Sequence, residues 1–392
     1  MASGARMTGP IRIGFFLPHL RHGGAERVVL LLLRHLDRGR FRPVLILQRR
    51  EGEYLKLLPP DVEVIVLRRP RPPACVPELA RLLRDARIDV LYSATNATNI
   101  YAATAARLGG GRTRVVISEH TPLDYSLSTA KLLAVRRFGI RRAYPLADLM
   151  VAPLDRIGDE MRDYLGAAAP PFRCLPNPVV DSVAPPRDQP VTALRIVSVG
   201  RLAAVKRFDL LIEAFAAFHS RQPAASLTIF GDGPERAALD RLVARLGLGS
   251  AVVFGGYVED VQSRLAAFDL FVCTSEREGF GNAIVEAMAA GVPVLSVDCP
   301  FGPRLLLQDG RTGHLVAVAD TPSVARAMTE IAEDQPARQR YARAARDVAA
   351  SFSVARAVAA HEQVFAAVAA KASASSRQEG ETDGSHDRNA RV

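Results

Sequence analysis

Glu278 and Glu286 stand eight positions apart in TSEREGFGNAIVEAMAAGVPVL, residues Thr274 to Leu295. An apolar run ending at Cys273 predicts a strand, the loop after it carries Glu278, and a helix is expected from Gly281 or Asn282 with Glu286 on its second turn. The free N–H groups of that first turn, at Gly281, Asn282 and Ala283, would form an anion site reinforced by the helix dipole. Gly279 and Gly281, on either side of Phe280, let the backbone approach a ligand with no Cβ in the way. A carboxylate accepts hydrogen bonds from vicinal hydroxyls. Glu286, behind the anion, therefore suits a ribose, and Glu278, ahead of it, suits a projecting sugar. The plain alternative is an amphipathic helix whose glutamates face solvent.

Other segments offer partners for the same anion. SVGRLAAVKRFD, Ser198 to Asp209, places Arg201 and Lys206 after a strand and ahead of a helix. Arginine can grip a diphosphate with two parallel hydrogen bonds, and lysine supplies a point charge to a departing phosphate. Lys206 is one of only four lysines (Lys56, Lys131, Lys206, Lys371). Gly23 and Gly24 follow another strand at a helix start, a design suited to close backbone contact with phosphate. ISEHTP, Ile117 to Pro122, sets His120 just past a strand, where a lone histidine is more often structural. Gly255-Gly256-Tyr257-Val258 follows a further strand.

The elements that must position these residues are short apolar runs alternating with longer amphipathic segments, the pattern of parallel sheets with crossover helices. Strands are expected at Ile11 to Phe16, Val44 to Leu47, Val62 to Leu67, Val90 to Ser93, Val115 to Ser118 and Leu149 to Ala152. The rhythm restarts with strands at Leu194 to Val199, Ser226 to Phe230, Val252 to Phe254, Leu270 to Cys273 and Val294 to Val297. DSVAPPRDQP, Asp181 to Pro190, carries three prolines and no apolar periodicity and reads as a linker. The expected domains are 1–185 and 191–350, followed by an Ala-rich helix over 353–370 and a polar, disordered tail over 371–392. The fold class is α/β: two Rossmann-like doubly wound domains with a cleft between them, where ligands of such sheets usually bind.

Composition agrees with a soluble enzyme-sized chain: 392 residues, 48% hydrophobic and 23% charged. The net charge of +10 is unevenly spread, since residues 1–190 hold 29 basic and 18 acidic side chains while residues 191–392 hold 22 and 23. Such asymmetry points to an anionic partner of the first half, nucleic acid or a membrane surface. Cys75, Cys174, Cys273 and Cys299 show neither C-x-x-C nor metal-ligand spacing, so no metal site is expected. No signal peptide is read at the start, and the longest apolar run, Val28 to Leu33, is far short of a bilayer span. A cytoplasmic protein with peripheral membrane contact is the expectation.

The stretch EGFGNAIVEAMAAGVPV resembles the E-x7-E signature of glycosyltransferase family 4, retaining sugar-nucleotide transferases of the GT-B fold, and the resemblance runs over most of residues 11–320. It implies a UDP- or GDP-sugar donor, no cofactor and no metal. Arg201 and Lys206 would hold the diphosphate, Glu278 the transferred sugar and Glu286 the ribose. Gly23 and Gly24 would face the diphosphate from the first domain, and His120 would lie close to the transferred sugar. Backbone groups around Tyr257 and Val258 would clamp the base, with Phe280 to Ala283 completing the donor site. The catalytic set is then Glu278, Lys206, Arg201 and His120, with no protein base. DCPFGPR, Asp298 to Arg304, is similar to a variant common in enzymes that extend polysaccharide or lipid-linked oligosaccharide precursors. The implied acceptor is a glycan or polyprenyl-diphosphate-linked hydroxyl, reached from an anionic membrane surface.

Rival functions fit less well. No G-x-G-x-x-G follows any strand, which disfavours dinucleotide-dependent oxidoreduction. The chain has no Trp and no nucleic-acid reading motif. A GT-B nucleotide-sugar epimerase shares the fold, and the nature of the product, a free sugar or a glycosylated acceptor, separates it from a transferase.

Overall fold

The computed structural model describes residues 9–71, 74–128, 130, 132–185 and 193–383, with side chains through residue 371. They fall into two compact units, one from Met1–Pro176 with Ala357–Val392 and one from Asn177–Arg356.

Unit 1 alternates β1 (Ile11–Leu17), α1 (Gly24–His35), β2 (Phe41–Leu47), β3 (Glu63–Val66), α2 (Cys75–Asp85), β4 (Val90–Ser93), α3 (Asn96–Leu108), β5 (Arg114–Ser118), α4 (Leu123–Ser128), α5 (Leu133–Ala143), β6 (Leu149–Ala152), α6 (Asp155–Leu165) and β7 (Phe172–Cys174). The seven strands pair in the order β3-β2-β1-β4-β5-β6-β7, with β1 parallel to both its neighbours, Ile13 opposite Pro43 on one side and Val90 on the other. Helices cover both faces of such a sheet, which is why its central strands are apolar without alternation. Val28 to Leu33 on α1 are all buried, so the run too short to cross a bilayer serves as core.

Unit 2 repeats the plan with β8 (Arg195–Val199), α7 (Phe208–His219), β9 (Ser226–Phe230), α8 (Arg236–Arg245), β10 (Val252–Gly256), α9 (Val261–Leu265), β11 (Leu270–Cys273), α10 (Asn282–Ala289), β12 (Val294–Val297), α11 (Gly302–Leu306), β13 (His314–Val316), α12 (Thr321–Glu333) and α13 (Gln335–Ala350). The sheet order is β10-β9-β8-β11-β12-β13, and every pairing is parallel.

Strands β7 and β13 lack a sequence signal. Each is a three-residue edge strand, with Phe172–Cys174 largely exposed, so neither needs the apolar run that marks a central strand. The segment expected as linker joins unit 2 at its start. Val179 and Val180 donate their N–H groups to Phe352 O, and Ala184 donates to Ala289 O at 2.7 Å; residues 186–190 lie outside the described residues.

The Ala-rich C-terminal helix α14 (Val354–Asp383) belongs with unit 1 from Ala357 onward. Phe365 meets the rings of Phe15, Phe41 and Tyr92 edge-on with centroids 5.6 to 6.4 Å apart. Glu362 accepts from the Asp37 N–H at 2.8 Å and from Arg40 at 3.0 Å. The helix continues to Asp383, into the stretch whose composition predicts disorder, and residues 384–392 lie outside the described residues.

Candidate functional site

In unit 2 the strand order reverses between β8 and β11, so the connections leaving those two strands run to opposite faces of the sheet. Ligands of open α/β sheets sit in the crevice this opens at the carboxyl ends. The segment after β8 carries Arg201 and Lys206, and the segment after β11 carries Glu278. The structure brings two of the three together: Lys206 Nζ donates to Glu278 Oε1 at 2.5 Å.

The local backbone explains the meeting. Arg207 adopts a left-handed conformation, φ 49°, which ends the turn Ala204–Lys206 and starts α7. Thr274 Oγ1 donates to the carbonyls of Lys206 and Arg207 at 3.2 and 2.9 Å, and the Glu276 N–H donates to Val205 O. The two loops are thus sewn to each other. A neighbouring stitch runs from the Gly200 N–H to Phe230 O and from the Gly231 N–H to Gly256 O. Gly231 holds φ 137°, and a Cβ there would lie 1.9 Å from Gly200 O, so only glycine permits this closure. Tyr257 and Val258 follow directly, with Tyr257 exposed. Arg201 is exposed as well.

Burial alone would weaken the hold of Lys206 on its proton. The Glu278 carboxylate beside it acts in the opposite sense, by its charge and its hydrogen bond, and the net shift is upward. A fixed positive charge therefore stands at the switch point. The buried thiols of Cys273 and Cys299 shift upward, first by burial and further by surrounding charge, and stay protonated.

Helix α10 begins at Gly281, φ 101°, with no side chain capping its first turn and no acidic residue within it. The N–H groups of Asn282 and Ala283 stand in this uncapped first turn, where the spacing predicts an anion site. Asn282 Oδ1 accepts from Asn177 at 3.1 Å. Phe280 is buried with its ring 4.9 Å from that of Phe352, so its side chain packs. Glu286 is only 2% exposed on α10, which removes the reading of a solvent-facing glutamate.

In unit 1 the order reverses between β1 and β4. Gly23 caps α1 just beyond β1, and Glu26 reaches back until a Cβ on Gly23 would touch its carboxylate. His120 follows β5, its Nε2 2.9 Å from Ser118 Oγ. Among the described residues its Nδ1 is buried without a partner. Burial, with a minor contribution from His361, lowers its pKa to about 4, so the ring is neutral.

The neighbouring Glu119 gave no sequence signal and proves to be the centre of a buried network. Tyr144 donates to its Oε1, Asn99 does so at 2.8 Å, and Asn96 donates to the Tyr144 hydroxyl at 2.8 Å. Arg136 donates to Asn96 Oδ1 at 3.1 Å. Burial raises the Glu119 pKa to about 7 against the lowering effect of these donors. Ser275 is the other residue missed, a small hydroxyl beside a strand end that only the folded loop aims at Glu278, 2.7 Å away.

Two doubly wound units, one of them holding a lysine and a carboxylate at its switch point before an uncapped helix, define the GT-B class of glycosyltransferase. Two family models match in series, "Glycosyltransferase Family 4" over residues 22–183 and "Glycosyl transferases group 1" over residues 185–348. The chain belongs to glycosyltransferase family 4. It is 29% identical over 357 residues to an N-acetylgalactosamine-N,N'-diacetylbacillosaminyl-diphospho-undecaprenol 4-alpha-N-acetylgalactosaminyltransferase of Campylobacter jejuni, covering 87% of this chain and 95% of that one. An exopolysaccharide phosphotransferase of Streptomyces coelicolor is 29% identical over 74% of this chain, and a lipopolysaccharide core biosynthesis glycosyltransferase of Rhizobium meliloti is 39% identical over 40%. The chain spans only 29% and 44% of the length of these last two relatives. Among solved structures, Anabaena HepE in complex with UDP superposes with a TM-score of 0.75 at 23% identity, covering 91% of this chain and all of that one. WaaG, a glycosyltransferase involved in lipopolysaccharide biosynthesis, superposes with a TM-score of 0.70 at 16% identity, covering 90% and 99%.

Proposed function

We propose that the protein transfers a hexose, with retention, from a UDP- or GDP-sugar to a hydroxyl of a glycan or polyprenyl-diphosphate-linked acceptor in cell-envelope or exopolysaccharide synthesis. The observation that carries this reading is the Lys206–Glu278 pair at the β8/β11 switch point, ahead of the uncapped start of α10. Lys206 and Arg201 would take the diphosphate, whose leaving oxygen needs positive charge as the sugar–oxygen bond breaks. The Asn282 and Ala283 N–H groups would add to that hold. Glu278 would accept from the sugar hydroxyls, Glu286 from the ribose, and the backbone at Tyr257 and Val258 would face the base. In unit 1, His120, held neutral, would hydrogen-bond the transferred sugar, and Gly23–Gly24 would offer backbone to the diphosphate. The acceptor oxygen attacks the face that the diphosphate leaves, and its proton passes to a phosphate oxygen. The UDP and UDP-glucose complexes of HepE favour a UDP-sugar as the first donor to try.

An anionic membrane as docking partner is supported by α5. Leu132, Val135 and Phe138 at the start and along this helix are between 63% and 69% exposed, and Arg136, Arg137, Arg141 and Arg142 share it. Apolar side chains that insert and arginines that meet lipid phosphate are the ingredients of an interfacial helix. Arg68, Arg69 and Arg71 form a second basic cluster. Among the described residues no helix is long and apolar enough to cross a membrane.

Calorimetry with UDP, GDP and their sugars tests the donor. Binding of neither diphosphate would overturn the reading. Glu278→Ala and Lys206→Ala should each remove most transfer, and near-normal turnover in both would sink the assignment. Sedimentation with liposomes should require anionic lipid, weaken with salt and fall in Leu132→Ser/Phe138→Ser; indifference to all three would remove the membrane.

A further inference from the structure

Two donors, Lys206 and Ser275, converge on one oxygen of Glu278, and the Cys273 thiol lies near it. Lys206 Nζ lies 2.5 Å from Oε1, Ser275 Oγ 2.7 Å and Cys273 Sγ 3.9 Å. Among the described residues no partner reaches Oε2. The main chain at the same residue is also held, since the Gly302 N–H donates to Glu278 O at 3.2 Å. Ser275 is buried, and Cys273 Sγ sits 3.5 Å from its oxygen, so the serine accepts from the thiol and turns its own proton to Oε1. A carboxylate tied by one oxygen in this way has its plane and rotamer decided before any ligand arrives, and its other oxygen is left to accept.

The arrangement matters most once a diphosphate binds. Lys206 is then drawn toward the phosphates, and Oε1 would lose its strongest partner. We infer that Ser275, supported by Cys273, is the positioning residue that keeps Glu278 in place when Lys206 turns to the diphosphate, so that Oε2 stays aimed at the donor sugar. This rests on the donor reading given above and adds a residue to it. Hydrogen bonds to charged groups contribute about 1.5–3 kcal/mol, equivalent to about 10- to 150-fold.

The test reads the sugar-dependent part of donor affinity, the ratio of UDP to UDP-glucose dissociation constants, by calorimetry on the full chain. Ser275→Ala should lower that ratio about tenfold while leaving the UDP constant and the melting temperature close to wild type, which a merely structural serine would not do. In a Glu278→Ala background the same change should do nothing more, because the serine acts only through the carboxylate. Ser275→Thr, which keeps the hydroxyl, should recover most of the ratio. An unchanged ratio in Ser275→Ala, or an equal further loss in the Glu278→Ala background, overturns the inference. A wild-type protein that binds no nucleotide sugar overturns the donor reading itself, and a normal ratio in Glu278→Ala overturns the role of that carboxylate; these outcomes are separable from a failure confined to Ser275.

Discussion

Replacing Lys206 by alanine removes the ammonium that the fold pairs with the Glu278 carboxylate at the switch point. With Nζ 2.5 Å from Oε1, the gross attraction at an effective dielectric near 20 is about 7 kcal/mol. Most of that is offset by desolvation of both groups. Their side chains keep 23% and 13% exposure, so solvent still screens them, and a net coupling of about 1–3 kcal/mol is expected. On the reaction coordinate the same ammonium would stabilise charge on the departing diphosphate, for which loss of one preorganised donor costs about 10²–10³ in kcat. The assay is a double-mutant cycle with Glu278→Ala, read by denaturant melts for the coupling and by UDP release with a glycan acceptor for the rate. Lys206→Arg should recover part of the rate, since charge returns without the lysine's compact geometry. A kcat within about threefold of wild type in Lys206→Ala, together with a coupling near zero, would refute the assignment of this pair to the site.

Gly231→Ala should destabilise unit 2 by roughly 2–3 kcal/mol, because its Cβ would sit 1.9 Å from Gly200 O at a backbone angle alanine resists; a melting temperature equal to wild type would contradict the stitch between β8 and β9. Gly302→Ala places a Cβ 1.8 Å from Phe280 O, two residues from Glu278, so loss of activity should exceed loss of UDP binding if that loop aims the carboxylate. Stability against pH offers a separate check on unit 1. Glu119, with its pKa raised from 4.5 to about 7, holds its proton more tightly when folded, so its contribution is full below about pH 4.5 and is lost as pH rises through 7. His120 and His361, lowered from 6.5 to about 4, act in the opposite sense and withdraw stability as pH falls below 6.5. Glu119→Gln deletes the first effect alone, so the variant should gain on wild type between pH 5 and 8 in chemical denaturation; parallel profiles would show that the carboxyl does not titrate there.

The alternation of apolar runs and helices determined the class of fold, because a strand covered on both faces by crossover helices must be apolar throughout and therefore shows in the chain. Strands β4, β6, β9, β11 and β12 fall within the expected bounds to the residue. The edge strands β7 and β13 escape it, since a three-residue strand with one neighbour buries too little to leave a pattern. Helix α14 was legible as a helix, yet its place beside β1 and β4 was not. Nothing local says that Phe365 will meet Phe15 and Tyr92.

The candidate site divides the same way. Glu278, Gly281, Asn282 and Glu286 were legible because a strand end, a loop and a helix start set their spacing within one segment. The pairing of Glu278 with Lys206 joins residues 72 positions apart, and only the β8–β11 neighbourhood decides it. The aim of Ser275 at one oxygen of that carboxylate, and the burial of Glu119 among Tyr144, Asn96 and Asn99, depend on loops closed by long-range hydrogen bonds. Spacing along the chain selects which residue types can share a segment. Which oxygen is held, which charge stays buried and which group is left to meet a ligand are consequences of packing between segments, and only the tertiary structure settles them.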